Sequence, residues 1–263
     1  TMTFKCIKFD RQDGVAHIEL IRPEKANAID PTLSAELHEV AKQCSNDVET
    51  RAVLLSGAGP IFCAGGDLEA FAAFGAALPS AMEDMLQDFH PAIELLSAMN
   101  APVITAVTGV AFGGGLSLVL ASSFVVAASD ARFSVAYTGA GLTPDGGATY
   151  YLPRIVGLRR AEEMMVTNRQ LSAEEAMDWG IVNQVVETSD LMEKAQAMAA
   201  RLAKGPTAAF GGVRRMLLQS FDNDLHSQLG LEGKSIVELA ASKDGQEGIR
   251  AFSEKRRPVF TGN

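Results

Sequence analysis

The stretch "PVITAVTGVAFGGGLSL", residues 102–118, indicates the fold class of this chain. It starts with an apolar run at 103–107 that has the length of a buried strand. The triple glycine at 113–115 leads into a short helix predicted over 116–121, and a second apolar strand is predicted at 124–128. Strands that alternate with glycine-rich loops and helices are typical of α/β proteins whose strands are largely parallel.

The segments around this stretch continue the alternation. Two strands joined by a hairpin turn at Asp13-Gly14 are predicted near the start, and Asp30 followed by Pro31 predicts the beginning of a helix. The other predicted elements are strands at 52–55 and 181–186, a helix that begins at a capping box formed by Ser172 and Glu175, and helices that include 33–44, 82–96 and 191–203.

The length of 263 residues allows one large domain or a domain with an appendage. Because no convincing strand follows Pro206, we expect an α/β core over residues 1–190 and a helical C-terminal region over 191–263. The helical region is rich in alanine, leucine and methionine, so we expect it to pack on the core or on another subunit.

The composition excludes several classes of partner. A net charge of −9 argues against a nucleic-acid partner, because phosphate binding requires a basic surface. Three cysteines, Cys6, Cys44 and Cys63, form no CxxC pair, which favours a reducing compartment, and we expect a cytoplasmic protein. The sequence shows no signal segment or membrane-spanning run, and no metal or dinucleotide motif. We therefore expect no membrane partner, no metal and no redox cofactor.

Two glycine-rich loops, each after a predicted strand, are candidates for ligand binding. They contain Gly65-Gly66 and the triple glycine at 113–115. Glycine lets backbone N–H groups come close to a ligand oxygen, and two such groups, one of them at a helix start, form an oxyanion hole. Either loop alone is better explained as a tight turn.

The segment "GLTPDGG", residues 141–147, carries the candidate acid. Proline, aspartate and glycine in this order are ordinary turn residues. Asp145 is either a turn former or a carboxylate that the turn holds over a substrate, and the local sequence by itself favours the turn former.

Taken together, these segments resemble the crotonase superfamily, the enoyl-CoA hydratase/isomerase family. The resemblance covers residues 4 to 260 in the family's order. Its matching stretches are "RPEKANAID" at 22–30, "FCAGGDL" at 62–68, the stretch at 102–118, the long segment at 131–182 that contains "GLTPDGG", and "GIRAFSEKRRPVF" at 248–260.

The resemblance implies a repeated ββα spiral core, trimers or dimers of trimers, and an acyl-CoA thioester substrate. Coenzyme A then arrives with the substrate, and no separate cofactor is needed. The N–H groups of Gly66 and Gly114 correspond to the oxyanion hole. His90, Ser117 and Tyr137 are expected in the acyl pocket. The residues expected to contact coenzyme A, the last two from an adjacent subunit, are Arg22, Lys25, Ala26, Ala64, Gly65, Asp67, Leu68, Phe252 and Lys255.

The departures from the family pattern point away from simple hydration. Hydratases of the family carry two glutamates where this chain has Ser117 and Tyr137. Adding water to a double bond needs a base for the water and an acid for the carbon, and neither residue serves well at its ordinary pKa. Asp145 corresponds to the single catalytic acid of some family isomerases, including oxepin-CoA isomerases. The resemblance therefore implies an isomerase that shifts a double bond from the 3- to the 2-position.

Two other interpretations remain open. The chain also resembles 4-chlorobenzoyl-CoA dehalogenase, in which an aspartate at the position of Asp145 attacks the aromatic ring and a histidine at the position of His90 activates water. That enzyme has tryptophan in place of Tyr137 and phenylalanine in place of Gly66, so this interpretation comes second. The other open interpretation is a non-catalytic acyl-CoA-binding protein. The acyl group is left open, because its pocket depends on the segment at 70–90.

Overall fold

The structure is a computed structural model that describes residues 4–263. Residues 1–3, which the predicted core region includes, lie outside the described residues. Its strands are β1 Ile7–Gln12, β2 Val15–Leu20, β3 Ala52–Gly57, β4 Val103–Val107, β5 Val110–Phe112, β6 Phe124–Ala128, β7 Arg132–Ser134, β8 Leu171–Ser172 and β9 Gln184–Val186. Its α-helices are α1 Pro31–Asn46, α2 Leu68–Ala73, α3 Leu78–Ala98, α4 Gly114–Leu120, α5 Ala148–Val156, α6 Leu158–Thr167, α7 Ala173–Asp178, α8 Leu191–Ala203, α9 Thr207–Gln219, α10 Leu225–Ala240 and α11 Lys243–Ser253.

The strands form two sheets. The larger has the order β1-β2-β3-β4-β6-β9, with β1 antiparallel to β2 and every later pair parallel. The smaller has the order β5-β7-β8. Within each of two consecutive units, a strand of the large sheet is followed by a short strand of the small one, β4 by β5 and β6 by β7. The largely parallel α/β core expected from the sequence is confirmed.

The large sheet is covered on both faces, as parallel sheets are. All five residues of β4 are buried. Alternate residues of β3 and β4, such as Leu54 and Ile104, belong to a cluster with Leu191, Ala195 and Ala199 of α8. The other face belongs to the main core, which includes α1 and α3. Helix α8, which begins at residue 191, packs directly on the sheet. The division of the chain into a core over residues 1–190 and a helical region over 191–263 remains a prediction.

Local sequence signals account for several element ends. Asp13 and Gly14 both have positive φ, as a two-residue hairpin turn requires, so the predicted hairpin is confirmed. The Asp30 carboxylate accepts from the Leu33 amide and caps α1, and the capping box of Ser172 and Glu175 begins α7.

Two predicted elements differ in extent. The helix expected at 116–121 begins two residues earlier, at Gly114. The strand expected at 181–186 is confined to 184–186, because the amides of Ile181 and Val182 both donate to the carbonyl of Ala176 at the end of α7. No helix within residues 4–263 combines the length and apolar character needed to cross a membrane.

Candidate active site

A cavity of about 270 Å³ lies where the two glycine-rich loops meet the 136–145 segment and α3. Two of its walls are backbone, at residues 64–66 and 113–114. Most of the remaining wall is apolar, with the side chains of Phe71, Met82, Met85, Leu86, Phe89 and Leu142. Such a space fits an apolar acyl group, and the polar groups that reach it determine the chemistry.

Backbone hydrogen bonds hold the two glycine-rich loops together. The Ile29 amide donates to the Gly65 carbonyl at 2.7 Å, and the Asp67 amide donates back to Ile29 at 2.8 Å. On the other side, the Phe112 amide donates to the Cys63 carbonyl at 3.0 Å. Strand-like pairing on both sides therefore fixes the position of the loop that contains Gly66.

The amides of Gly66 and Gly114 both line the cavity. Within residues 4–263 neither N–H has a backbone or side-chain acceptor. Gly114 is the first residue of α4, where the helix supplies no acceptor and its dipole favours negative charge. A Cβ on Gly66 would lie 2.7 Å from Phe71 Cε2, and a Cβ on Gly114 would lie 2.7 Å from Ile29 Cδ1. Glycine at both positions keeps this space free.

The turn at 144–146 presents Asp145 to the cavity. Its Oδ1 accepts from the Tyr137 hydroxyl at 2.5 Å, its Oδ2 lies 3.2 Å from Nε2 of His90, and its carbonyl accepts from the Ser117 hydroxyl at 2.9 Å. The turn is also ordinary, since the Ala148 amide donates to the Asp145 carbonyl. The segment therefore both makes a turn and fixes a carboxylate on the cavity wall.

The Tyr137 hydroxyl is a neutral hydrogen-bond donor in this arrangement. Burial raises its pKa well above the ordinary tyrosine value, and the negative charge of Asp145 raises it further. The phenol therefore keeps its proton throughout the physiological pH range. Ala136, the residue before it, has φ of 55°, which turns the chain into the cavity wall.

Two of the three residues expected in the acyl pocket do not line it. Tyr137 does, whereas Ser117 is buried behind the wall and His90 lies on the outer side of α3. Met85 and Phe89 share the face of α3 toward the cavity, whereas His90 follows Leu86 by one turn along the edge of that face, where Met82 and Leu86 line both the cavity and an outer groove. Both side chains contact Asp145 without being among the residues that line the cavity, and their expected role at the acyl group remains a prediction.

The residues expected to contact coenzyme A fall into three groups. Ala64, Gly65 and Leu68 line the cavity. Phe252 of α11 and Lys255 after it are not among the residues that line it. Their expected contact involves an adjacent subunit and remains a prediction.

The third group holds the loops in place. Arg22 is mostly buried and pairs with Asp30 at 2.6 Å and with Asp67 at 3.4 Å. Because two carboxylates already hold its guanidinium, Arg22 has a structural role, and its expected contact with coenzyme A remains a prediction. Asp67 also caps α2, so it has a structural role of its own.

The two remaining residues of this group lie beside the first glycine-rich loop. Lys25 pairs with Glu69 on the surface. The Ala26 carbonyl accepts from the Ala64 amide at 3.0 Å. No group of three or more His, Cys, Asp or Glu residues able to hold a metal occurs in the described part of the chain.

Sequence reasoning missed part of the cavity wall. Met85, Leu86 and Phe89 were visible as one stripe of an amphipathic helix at a spacing of three or four residues. That pattern indicates a buried face without showing whether a protein core or a cavity covers it.

Comparison with known proteins assigns the family. Residues 10–263 match the family model described as "Enoyl-CoA hydratase/isomerase". The chain belongs to this family. It is 39% identical over 253 residues to the 1,2-epoxyphenylacetyl-CoA isomerase of Escherichia coli K12, with 95% of this chain and 96% of the relative covered. It is 33% identical over 250 residues to 4-chlorobenzoyl coenzyme A dehalogenase-2 of Arthrobacter sp., with 95% and 91% covered.

The same family relationship is visible in three dimensions. The crystal structure of an enoyl-CoA hydratase from Polaromonas sp. JS666 superposes with a TM-score of 0.91 at 34% identity, covering 97% of this chain and 99% of that one. The crotonase-like fold expected from the sequence is confirmed. The family members bear hydratase, isomerase and dehalogenase names, so the family establishes an acyl-CoA enzyme and leaves the reaction to the site.

Proposed function

We propose that this enzyme moves a carbon–carbon double bond of an acyl-CoA thioester from the 3- to the 2-position. The observation that carries the proposal is the single carboxylate of Asp145 on a cavity wall that also holds the free amides of Gly66 and Gly114. A 1,3 proton shift needs one group that accepts a proton and returns it, and a stabilised enolate between the two steps.

The reaction follows from the positions of these groups. The Asp145 carboxylate removes a proton from the α-carbon, and the electron pair moves into the thioester to give a dienolate. The Gly66 and Gly114 amides donate to the dienolate oxygen. The Asp145 carboxylic acid then returns the proton to the γ-carbon, which leaves the double bond conjugated with the thioester. The neutral Tyr137 hydroxyl orients the carboxylate through Oδ1.

Hydration is disfavoured because it needs a second group to activate water. Among the cavity-lining residues that the structure describes, Asp145 is the one carboxylate. Ser117 donates to a backbone carbonyl behind the wall, and the pKa of Tyr137 is raised, so neither side chain is a base for water.

Aryl dehalogenation is the second candidate, and one observation favours it. His90 lies 3.2 Å from Asp145, where a histidine would activate water against an aryl ester of the aspartate. Gly66 and Tyr137 argue against it, because they replace the phenylalanine and tryptophan of the dehalogenase pattern.

A panel of three thioesters separates these functions. The purified protein is mixed with a 3-enoyl-CoA, a 2-enoyl-CoA and 4-chlorobenzoyl-CoA, and each mixture is followed by absorbance and mass. The proposal predicts conversion of the 3-enoyl substrate at constant mass. Addition of water to the 2-enoyl substrate would indicate a hydratase instead of an isomerase. Release of chloride from the aryl substrate would indicate a dehalogenase. Binding without any change over time would indicate a non-catalytic acyl-CoA-binding protein.

We also propose that the chain assembles as a trimer or a dimer of trimers. Large apolar side chains are exposed along α9, α10 and α11 and in the turn between α9 and α10, at Val213, Leu217, Phe221, Leu225, Ile236, Val237, Ile249 and Phe252. Exposed apolar surface on helices that contact one another favours an interaction site. Sedimentation of the purified protein tests this, and a monomer would contradict it.

A further inference from the structure

The two carboxylate oxygens of Asp145 contact groups in two different environments. Oδ1 accepts from Tyr137, which lines the acyl cavity, whereas Oδ2 contacts His90, which lines a second groove along α3 that shares Met82 and Leu86 with the cavity. The His90 side chain is 44% exposed, and the polar residues Glu83, Gln87 and Glu94 line the same groove. Asp145 thus connects an apolar cavity with a groove that water can enter.

We propose that His90 exchanges the Asp145 proton with bulk water through this outer groove, so that the γ-carbon receives a proton from solvent. The proposal rests on the proposed isomerase function, because it concerns the proton that Asp145 holds between the two half-reactions. His90 is a positioning and proton-exchange residue that acts through Asp145 and does not contact the substrate.

The environment of Asp145 favours this route over the cavity. An acyl group in the cavity excludes water from the Oδ1 side, where the wall is mostly apolar. Tyr137 contacts the carboxylate there, but its raised pKa keeps the phenol neutral, so it does not carry a proton away. His90, in contrast, places a ring nitrogen 3.2 Å from Oδ2, and its side chain is 44% exposed. His90 is therefore the contact through which the proton can leave.

The exchange balances without any other reactant. The Asp145 carboxylic acid transfers its proton to Nε2 of neutral His90, which gives a carboxylate and an imidazolium. The half-exposed imidazolium exchanges this N–H proton with water when its side chain turns into the groove. It then returns a solvent proton to Asp145, which delivers that proton to the γ-carbon. The net change is the replacement of a substrate proton by a solvent proton.

The test follows an isotope and does not depend on the rate. A 3-enoyl-CoA with deuterium on its α-carbon is converted in ordinary water, and early product is analysed for deuterium at the γ-carbon. Wild type is expected to lose most of this label to solvent. His90→Gln keeps an amide that can donate to Oδ2 but carries no exchangeable acid proton, and its product is expected to retain the label several-fold more.

A second histidine provides the matched control. Nδ1 of His38 on α1 lies 2.8 Å from Asp88 in a helix-surface pair like that of His90, and neither residue lines the cavity. His38→Gln is expected to retain as little label as wild type. Equal label retention in wild type and His90→Gln would overturn the inference while leaving the isomerase function intact. Absence of isomerisation by wild type would overturn the proposed function and this inference together.

Discussion

Replacing Tyr137 with phenylalanine tests the link between this hydroxyl and Asp145 through stability. The change removes the 2.5 Å hydrogen bond to Oδ1 and leaves the ring in place. A hydrogen bond to a charged group contributes about 1.5–3 kcal/mol when buried. Because the Asp145 side chain is 29% exposed, we expect Tyr137→Phe to lower the free energy of unfolding by about 1–2 kcal/mol at pH 8.

The stability difference should depend on pH in a defined direction. The pKa of Tyr137 is raised in the folded state, so its contribution is fully present below the unfolded-state pKa of about 10 and is lost as the pH rises above that value. With a folded-state pKa well above 11, wild type loses about 1.4 kcal/mol from this group by pH 11, and Tyr137→Phe does not. The difference in free energy of unfolding between wild type and Tyr137→Phe, called the gap below, should therefore nearly close by pH 11.

Urea unfolding of both proteins at pH 8, 10 and 11 measures this gap. The other buried groups with raised pKa values, among them Tyr151 and the three cysteines, are common to both proteins and cancel in the difference. Ser117→Ala is the matched control, because it removes a neighbouring hydroxyl that does not titrate, and its gap to wild type should stay constant. A Tyr137→Phe gap that is also constant from pH 8 to 11 would refute the reasoning.

Other substitutions test the loops and the cavity wall. Gly115→Ala places a methyl group 2.4 Å from the Cys63 carbonyl oxygen and should lower the free energy of unfolding in urea by at least about 2 kcal/mol. Gly230→Ala, in open space on α10, is the control and should be neutral or stabilising by up to about 1 kcal/mol. Gly114→Ala should lower kcat/KM, because its methyl group enters the space beside the Gly114 amide. The free energy of unfolding should change little, because the methyl group's one close contact is the end of the Ile29 side chain. An unchanged kcat/KM would argue against an oxyanion site there. Arg22→Ala leaves two paired carboxylates without their cation and should cost about 3 kcal/mol in unfolding, and a loss confined to coenzyme A affinity would contradict its structural role.

The sequence predicted most accurately those features that depend on neighbouring residues. The hairpin at Asp13-Gly14 and the caps at Asp30 and Ser172 follow from turn and capping chemistry within a few residues. The three-residue strands β5 and β7 were not predicted, because they are too short for a periodic pattern and exist through pairing with each other.

The roles of individual site residues depended on distant parts of the chain. The pairing of Arg22 was not predicted, because its partner Asp67 lies 45 residues away and only the fold brings the two together. The position of His90 at the edge of the cavity-facing side of α3, next to Met82 and Leu86, depended on how the helix packs against the 136–145 segment. Asp145 was identified through the family pattern, and its contacts with Tyr137 and His90 required the structure.

The central claim is that the Asp145 carboxylate moves the proton, and Asp145→Asn tests it most directly. Asparagine keeps the shape of the side chain and its capacity to accept from Tyr137, but it is not a base. Isomerisation of a 3-enoyl-CoA at constant mass should fall by about 10²–10⁴-fold in this variant. Coenzyme A affinity should change little, and Asp178→Asn, an exposed aspartate on α7, should match wild type. An Asp145→Asn protein that isomerises within tenfold of the wild-type rate would contradict the account.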